Sequence, residues 1–188
     1  MASGKSLQLM ATAHSFQEHN IPFLIVKSKI DERDGDNTIS SRALGKKECF
    51  TIDDEDNIYD IVSTYKQTFD TKFRYILVDE AQFLTEKQVE ELAAISDNFN
   101  TDVICYGLKT DFKTRLFPGS KRLLEISDKI EEIESVCYCG KKTIFNARTN
   151  SKKEVITKGN QIEVGGDDKY VALCRKCYFE KIKNKYYL

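Results

Sequence analysis

The run Arg74-Tyr75-Ile76-Leu77-Val78-Asp79-Glu80-Ala81-Gln82-Phe83-Leu84 constrains the fold of this chain more than any other stretch. Aromatic and aliphatic residues end abruptly in two adjacent carboxylates. That is the pattern of a buried parallel strand delivering acids to the carboxyl edge of a sheet, where open α/β folds bind their ligands. Neighbouring strand residues point to opposite faces, so Asp79 and Glu80 cannot share one task. One can hold a metal while the other reaches a substrate. Taken alone, the segment also describes a strand that stops at a solvated acidic turn.

A second motif gives the acidic strand a counterpart. Gly4-Lys5-Ser6 opens a helical run over 7–16 that ends near Asn20, ahead of Pro22. Gly-Lys-Ser at a helix start is the second half of a phosphate-binding loop. Backbone N–H groups and the helix dipole hold phosphate oxygens, Lys5 reaches the outer phosphates, and the Ser6 hydroxyl binds magnesium. The leading glycine of the full motif and the strand before it are missing, and a bare Gly-Lys-Ser occurs often by chance. Its meaning comes from the acidic strand, because the two are paired halves of a nucleoside-triphosphate site.

The intervening and following segments supply an α/β framework. Residues 23–27 read as a buried strand and 48–52 as a short one; Ile58, Ile61, Val62, Tyr65 and Phe69 form the stripe of a covering helix. Residues 28–47 are polar, without an apolar period, and predict a long lid-like loop in which Arg33 and Arg42 either close over phosphates or stay solvated. Thr85 with Gln88 marks a capping box opening a helix to about Ser96. A strand over 102–107 leads into a polar and aromatic loop at the same sheet edge, then a short helix over 121–126 and an alternating strand over 129–136. This alternation predicts a mostly parallel sheet with helices on both faces, in a nucleotide-binding unit spanning 1–136.

From Cys137 the character changes, and 137–188 reads as a second, smaller unit. Of six cysteines, Cys49 and Cys105 sit alone in apolar runs and read as buried thiols. The other four form the pairs Cys137-Tyr138-Cys139 and Cys174-Arg175-Lys176-Cys177. Two close pairs, with no secretion signal ahead of them, favour a four-sulfur zinc site over disulfides or a redox pair. Four thiolates leave no open position for water, so the zinc is expected to be structural, stapling a small ribbon and the loop over 159–169. The basic tail over 178–188 reads as a docked or solvated helix.

Composition limits the partners. With 188 residues, 40% hydrophobic and 31% charged, the chain can bury a core and stay in solution. A formal net charge of −1 argues against a protein whose main work is gripping a nucleic-acid polymer. No apolar run approaches membrane-spanning length and no cleavable signal is evident, which predicts a cytoplasmic protein without a membrane partner.

With these pieces in order, the chain resembles the zinc-containing, tetrameric thymidine kinases of enteric bacteria and large bacteriophages. Gly4-Lys5-Ser6, Ile30-Asp31-Glu32-Arg33 with Ser40-Ser41-Arg42, and Val78-Asp79-Glu80-Ala81-Gln82-Phe83-Leu84 carry the resemblance. So do Tyr106-Gly107-Leu108-Lys109-Thr110-Asp111-Phe112, Leu116-Phe117-Pro118-Gly119-Ser120, Val136-Cys137-Tyr138-Cys139-Gly140-Lys141-Lys142, Val164-Gly165-Gly166-Asp167-Asp168-Lys169-Tyr170 and Cys174-Arg175-Lys176-Cys177. The likeness covers nearly the whole chain in collinear order. The family's fourth zinc ligand is often His, for which Cys177 is an acceptable substitute.

The resemblance implies a RecA-like P-loop fold with a C-terminal zinc ribbon and lasso loop, and transfer of phosphate from ATP to the 5′-hydroxyl of thymidine. By position, Glu80 would be the base and Asp79 would bind Mg2+ with Ser6. Ser3, Gly4, Lys5, Ala81 and Gln82 would complete the ATP site. Met1, Phe83, Phe117, Asn146 and Tyr170 would line the nucleoside pocket under the Val164-Gly165-Gly166 lasso, with Arg42 a charge-stabilising group from the lid. Zn2+ on Cys137, Cys139, Cys174 and Cys177 would hold the ribbon, in a homotetramer subject to feedback by dTTP. The family also places an apolar strand ahead of the phosphate loop. A start set too late is the expectation here, with weaker ATP binding and lower stability than a chain extended upstream by about ten residues. Two other readings stay open at this point. Asp-Glu-Ala-Gln also resembles the acidic box of a nucleic-acid-dependent ATPase, although such motors need a second core domain. A catalytically silent zinc-ribbon binding module is the other.

Overall fold

The computed structural model describes residues 4–30, 37–41, 44–70, 72–161 and 170–182. In chain order the elements are α1 (Lys5–Glu18), β1 (Phe23–Ser28), β2 (Thr38–Ser41), β3 (Gly45–Glu48), β4 (Phe50–Ile52), α2 (Ile58–Phe69) and β5 (Tyr75–Asp79). A 3-10 turn (Ala81–Phe83), α3 (Glu86–Phe99), β6 (Asp102–Cys105), α4 (Pro118–Ile126), β7 (Phe145–Arg148), β8 (Tyr170–Leu173) and α5 (Arg175–Lys181) follow.

The aliphatic runs become a parallel sheet in the order β4-β1-β5-β6. Alternation along β5 divides the core. Ile76 and Val78 face one side, where they pack with Val26, with Ile58 and Val62 of α2, and with Val89, Leu92 and Ile95 of α3. Leu77 faces the other side and packs with Ile25 and with Leu9, Met10 and Ala13 of α1. The strand is thus covered on both faces, as its continuous apolar sequence requires. The helix starts are those the sequence marks. Thr85 and Gln88 form a reciprocal capping box, and the Gln88 amide also donates to the carbonyls of Asp53 (2.7 Å) and Asp56 (3.2 Å). Asn57 caps α2 by accepting the N–H of Asp60.

The direction of α1 follows from its aromatic end. Phe16 stacks on Tyr75 with ring centroids 4.2 Å apart and lies 5.9 Å from Phe23, and both partners sit at the first residues of their strands. The C-terminal end of α1 therefore lies at the amino edge of the sheet. A 14-residue helix spans roughly 21 Å, which carries its N-terminal end to the carboxyl edge, where β5 ends in Asp79.

Two segments depart from expectation. The loop predicted over 28–47 contains an antiparallel hairpin, β2 with β3, in which Ser41 pairs with Gly45. Its polar sequence hides an inward residue, Ile39, which is buried against the α1 core. Residues 129–136 alternate but form no strand: only Val136 makes a bridge, to Lys142, and Ile130 and Val136 are 62% and 72% exposed. Alternation makes a strand only where a ladder partner accepts it, and among the described residues the outer edge of β6 pairs with none. The tail, expected as a docked or solvated helix, is docked where it is described: Tyr178 is buried within α5 and donates its hydroxyl to the Phe112 carbonyl at 2.6 Å.

Helix α4 begins at Pro118, whose missing N–H costs nothing at a helix start. It approaches the chain after β5 closely. A Cβ added at Gly119 would lie 2.5 Å from the Leu84 carbonyl oxygen and 2.8 Å from that of Ala81. Because both neighbours are backbone, Gly119→Ala should destabilise the fold by about 1–3 kcal/mol, read as a lower urea midpoint with an unchanged m-value.

Candidate active site and metal centre

Strand β5 ends at Asp79, and the chain leaves the sheet through Glu80, whose φ of 48° is left-handed. A non-glycine residue held there costs of the order of 1–3 kcal/mol and persists only where its surroundings impose it. Here the Glu80 N–H donates to Asp79 Oδ1 at 3.0 Å, the Ala81 N–H to the Tyr106 carbonyl at 2.9 Å, and the Phe83 N–H to the Glu80 carbonyl at 3.0 Å. Both carboxylates are buried. Beside them, the Gln82 amide donates to Glu80 Oε2 and accepts from the Leu108 N–H. Burial pushes the Tyr106 hydroxyl above its usual range; its hydrogen bond with Thr12 works the other way, and the charges of Glu131 and Asp79 add to the rise.

Gly4 precedes α1 with a φ of 73° and accepts the Gln8 N–H at 2.9 Å, starting the helix without a side-chain cap. Lys5, the first helical residue, is buried, and Ser6 is partly buried. The first-turn N–H groups of an α-helix lack partners within it and favour anions. By the direction of α1 given above, this end shares the carboxyl edge with Asp79 and Glu80. Ser3, Met1 and Arg42, and the lasso residues Val164, Gly165 and Gly166, lie outside the described residues.

No sequence motif marks Lys27. It is 1% exposed, is the register partner of Asp79 on the neighbouring strand, and donates from Nζ to the Thr38 carbonyl of the β2–β3 hairpin at 3.0 Å. The available signal was a lysine closing an apolar strand at the edge where the neighbouring strand ends in acid. Asp111, within the Tyr106–Phe112 segment that carries the resemblance, orders its own loop. Its buried Oδ1 accepts the N–H groups of Lys113 (2.8 Å) and Arg115 (2.9 Å), shaping the loop that leads to Phe117.

On the opposite flank, Phe83 and Phe117 meet edge to face, with centroids 5.8 Å apart at 85°. Asn146 and Tyr170 lie on the antiparallel pair β7–β8, Asn146 opposite Ala172 and Tyr170 opposite Arg148. The Arg148 guanidinium sits 3.8 Å from the Phe112 ring centroid and donates to the Lys158 carbonyl at 3.1 Å. Together with Tyr178, it fastens the ribbon strands to the loop after β6.

The four paired cysteines converge, with sulfur atoms all within 4.8 Å of one another and Cys139 Sγ 3.6 Å from Cys174 Sγ. A tetrahedral zinc with bonds of about 2.3 Å spaces its sulfurs by roughly 3.8 Å, so the cluster fits the ion. The tight turn at the first pair is closed by Gly140 N–H to the Cys137 carbonyl at 2.8 Å, and Cys174 caps α5. Cys49 and Cys105 are elsewhere and only partly buried as residues. Burial still pushes the Cys105 thiol up to about 12, which keeps it protonated and unreactive at neutral pH. Among the described residues, no helix is long and apolar enough to cross a membrane.

Comparison with known proteins agrees with this architecture. A family model described as thymidine kinase matches residues 1–178. The thymidine kinase of Lactococcus lactis is 41% identical over 181 residues, covering 96% of this chain and 93% of that protein. That of Zymomonas mobilis is 40% identical over 184 residues, covering 98% and 94%. That of Haemophilus influenzae (strain Rd) is 39% identical over 181 residues, covering 96% and 93%. A parallel sheet ending in paired acids, a sulfur cluster at the C-terminal side and similarity along nearly the whole chain agree: the chain belongs to the thymidine kinase family.

Proposed function

We propose that this chain transfers the γ-phosphoryl group of ATP to the 5′-hydroxyl of thymidine, giving dTMP and ADP for DNA precursor synthesis. The observation that carries the reading is the common sheet edge of the α1 start and the Asp79–Glu80 turn. A phosphate cradle and a carboxylate pair at one edge are the two halves that phosphoryl transfer needs. Family membership favours this over a nucleic-acid motor or a silent ribbon.

In this reading, Glu80 accepts the proton of the 5′-hydroxyl as that oxygen bonds to phosphorus and the bond to the ADP oxygen breaks. Lys5 neutralises charge on the transferring group, and the first-turn N–H groups of α1, with Ser3 and Gly4, hold phosphate oxygens. Asp79 and Ser6 are oxygen donors of the kind magnesium takes, and the ion supplies charge neutralisation between the phosphates when bound. Ala81 and Gln82 complete the wall behind the phosphates. Phe83 and Phe117 wall the nucleoside, joined by Met1, Asn146 and Tyr170, and backbone groups of Val164, Gly165 and Gly166 read the pyrimidine edge. Arg42 brings a cation from the lid. Zinc on Cys137, Cys139, Cys174 and Cys177 supplies rigidity to the ribbon at the base of the lasso. A homotetramer working in the cytoplasm, with dTTP as a feedback ligand, completes the proposal, and it rests on kinship alone.

Three measurements check the reading. Thymidine should stimulate ATP consumption and yield the monophosphate, while a polynucleotide should leave the rate unchanged. Glu80→Gln should lower kcat by about 10²–10⁴-fold with thymidine affinity nearly kept in calorimetry; normal turnover would remove Glu80 from its role. Elemental analysis should find one zinc per chain. Its removal by a chelator should lower the thermal midpoint, and Cys174→Ser should lose the metal.

A further inference from the structure

Resting on Glu80 as the base, we infer that Gln82 is a positioning residue that orients the Glu80 carboxylate. Gln82 is 1% exposed and its side chain bridges two groups. The partners dictate the orientation of its amide. The Leu108 N–H can only donate, so Gln82 Oε1 faces it, at 2.9 Å. The amide NH2 group therefore faces Glu80 and donates to Oε2.

An NH2 group has no acceptor to offer. The bridge thus holds the carboxylate as an acceptor at Oε2. It also ties the rotation of the Glu80 side chain to the loop after β6.

The far end of the bridge is fixed in turn. The Leu108 carbonyl accepts the Ser120 hydroxyl of α4 at 2.6 Å. Gly107 lets the two segments approach: a Cβ there would stand 3.0 Å from Gln82 Oε1 and 3.1 Å from its backbone nitrogen. Glutamine alone among the common side chains of this length supplies an acceptor for Leu108 and a donor for Glu80. Asparagine is too short, glutamate lacks the donor, and methionine has the length without either polar group.

The decisive test is a double-mutant cycle on the full chain, with Gln82→Met, Glu80→Gln and the double variant. Steady-state KM and kcat, single-turnover phosphorylation of thymidine and thermal midpoints would be measured for each. Gln82→Met should lower kcat at least tenfold while the KM values for thymidine and ATP stay within threefold. In the Glu80→Gln background, the same change should alter the single-turnover rate by less than twofold, because a residue acting only through Glu80 has nothing left to orient. Gln82→Glu keeps the volume and the acceptor for Leu108 and should lose at least as much kcat as Gln82→Met.

A near-normal kcat in Gln82→Met, a raised KM with kcat preserved, or losses that multiply in the double variant would each overturn the inference. So would a collapse of the thermal midpoint in both Gln82→Met and Gln82→Glu, which would make Gln82 a packing residue. Normal turnover by Glu80→Gln would sink the assignment of the base itself. An inactive Glu80→Gln beside normal Gln82 variants would sink only the role of Gln82.

Discussion

Strand β5 has neighbours on both sides and helices on both faces, so the chain can leave it only at its carboxyl end. That confinement sets the rest of the architecture. The exit must turn at once, and Glu80 takes the left-handed conformation because Asp79, Tyr106 and the following 3-10 turn satisfy the backbone around it. Strain at one residue is thus exchanged for a fixed direction of its carboxylate, a recurrent arrangement where side-chain direction matters more than local stability. Helix α4 supports the turn from behind, at a distance only glycine permits.

The edge created in this way gathers groups from several elements. The start of α1 comes from one face of the sheet, Lys27 from the adjacent strand, and the Leu108 amide from the loop beyond β6. The β2–β3 hairpin is tied to the same edge through Thr38 and Lys27. A reaction that needs little covalent participation from the protein depends on such convergence, since positioning and electrostatics do most of the work in phosphoryl transfer.

The ribbon is attached by a different kind of contact. A sulfur cluster organises its ends, while Tyr178 and Arg148 grip the Phe112 segment through a hydrogen bond to the backbone and a cation over a ring. The sulfur cluster and the loop after β6 are therefore mechanically joined. A disturbance of the sulfur cluster would be felt by the loop after β6 as well as by the strands β7 and β8.

Local chemistry was legible in the residues themselves. The aliphatic strands, the Thr85–Gln88 box, the acidic strand end and the spacing of four cysteines each express a short-range rule, and each appears in the structure. The hairpin was hidden because, among its described residues, only Ile39 is buried. The alternation over 129–136 misled because a strand exists only with a partner to accept its hydrogen bonds. The sequence by itself determined which segments could be buried, where helices begin and which side chains could bind a metal. Tertiary structure alone decided that Gln82 meets both Glu80 and Leu108, that Lys27 lies beside Asp79, and that Arg148 covers Phe112. Those contacts join residues distant in the chain or fix a rotamer by what surrounds it, and no local pattern encodes a direction that packing imposes from outside.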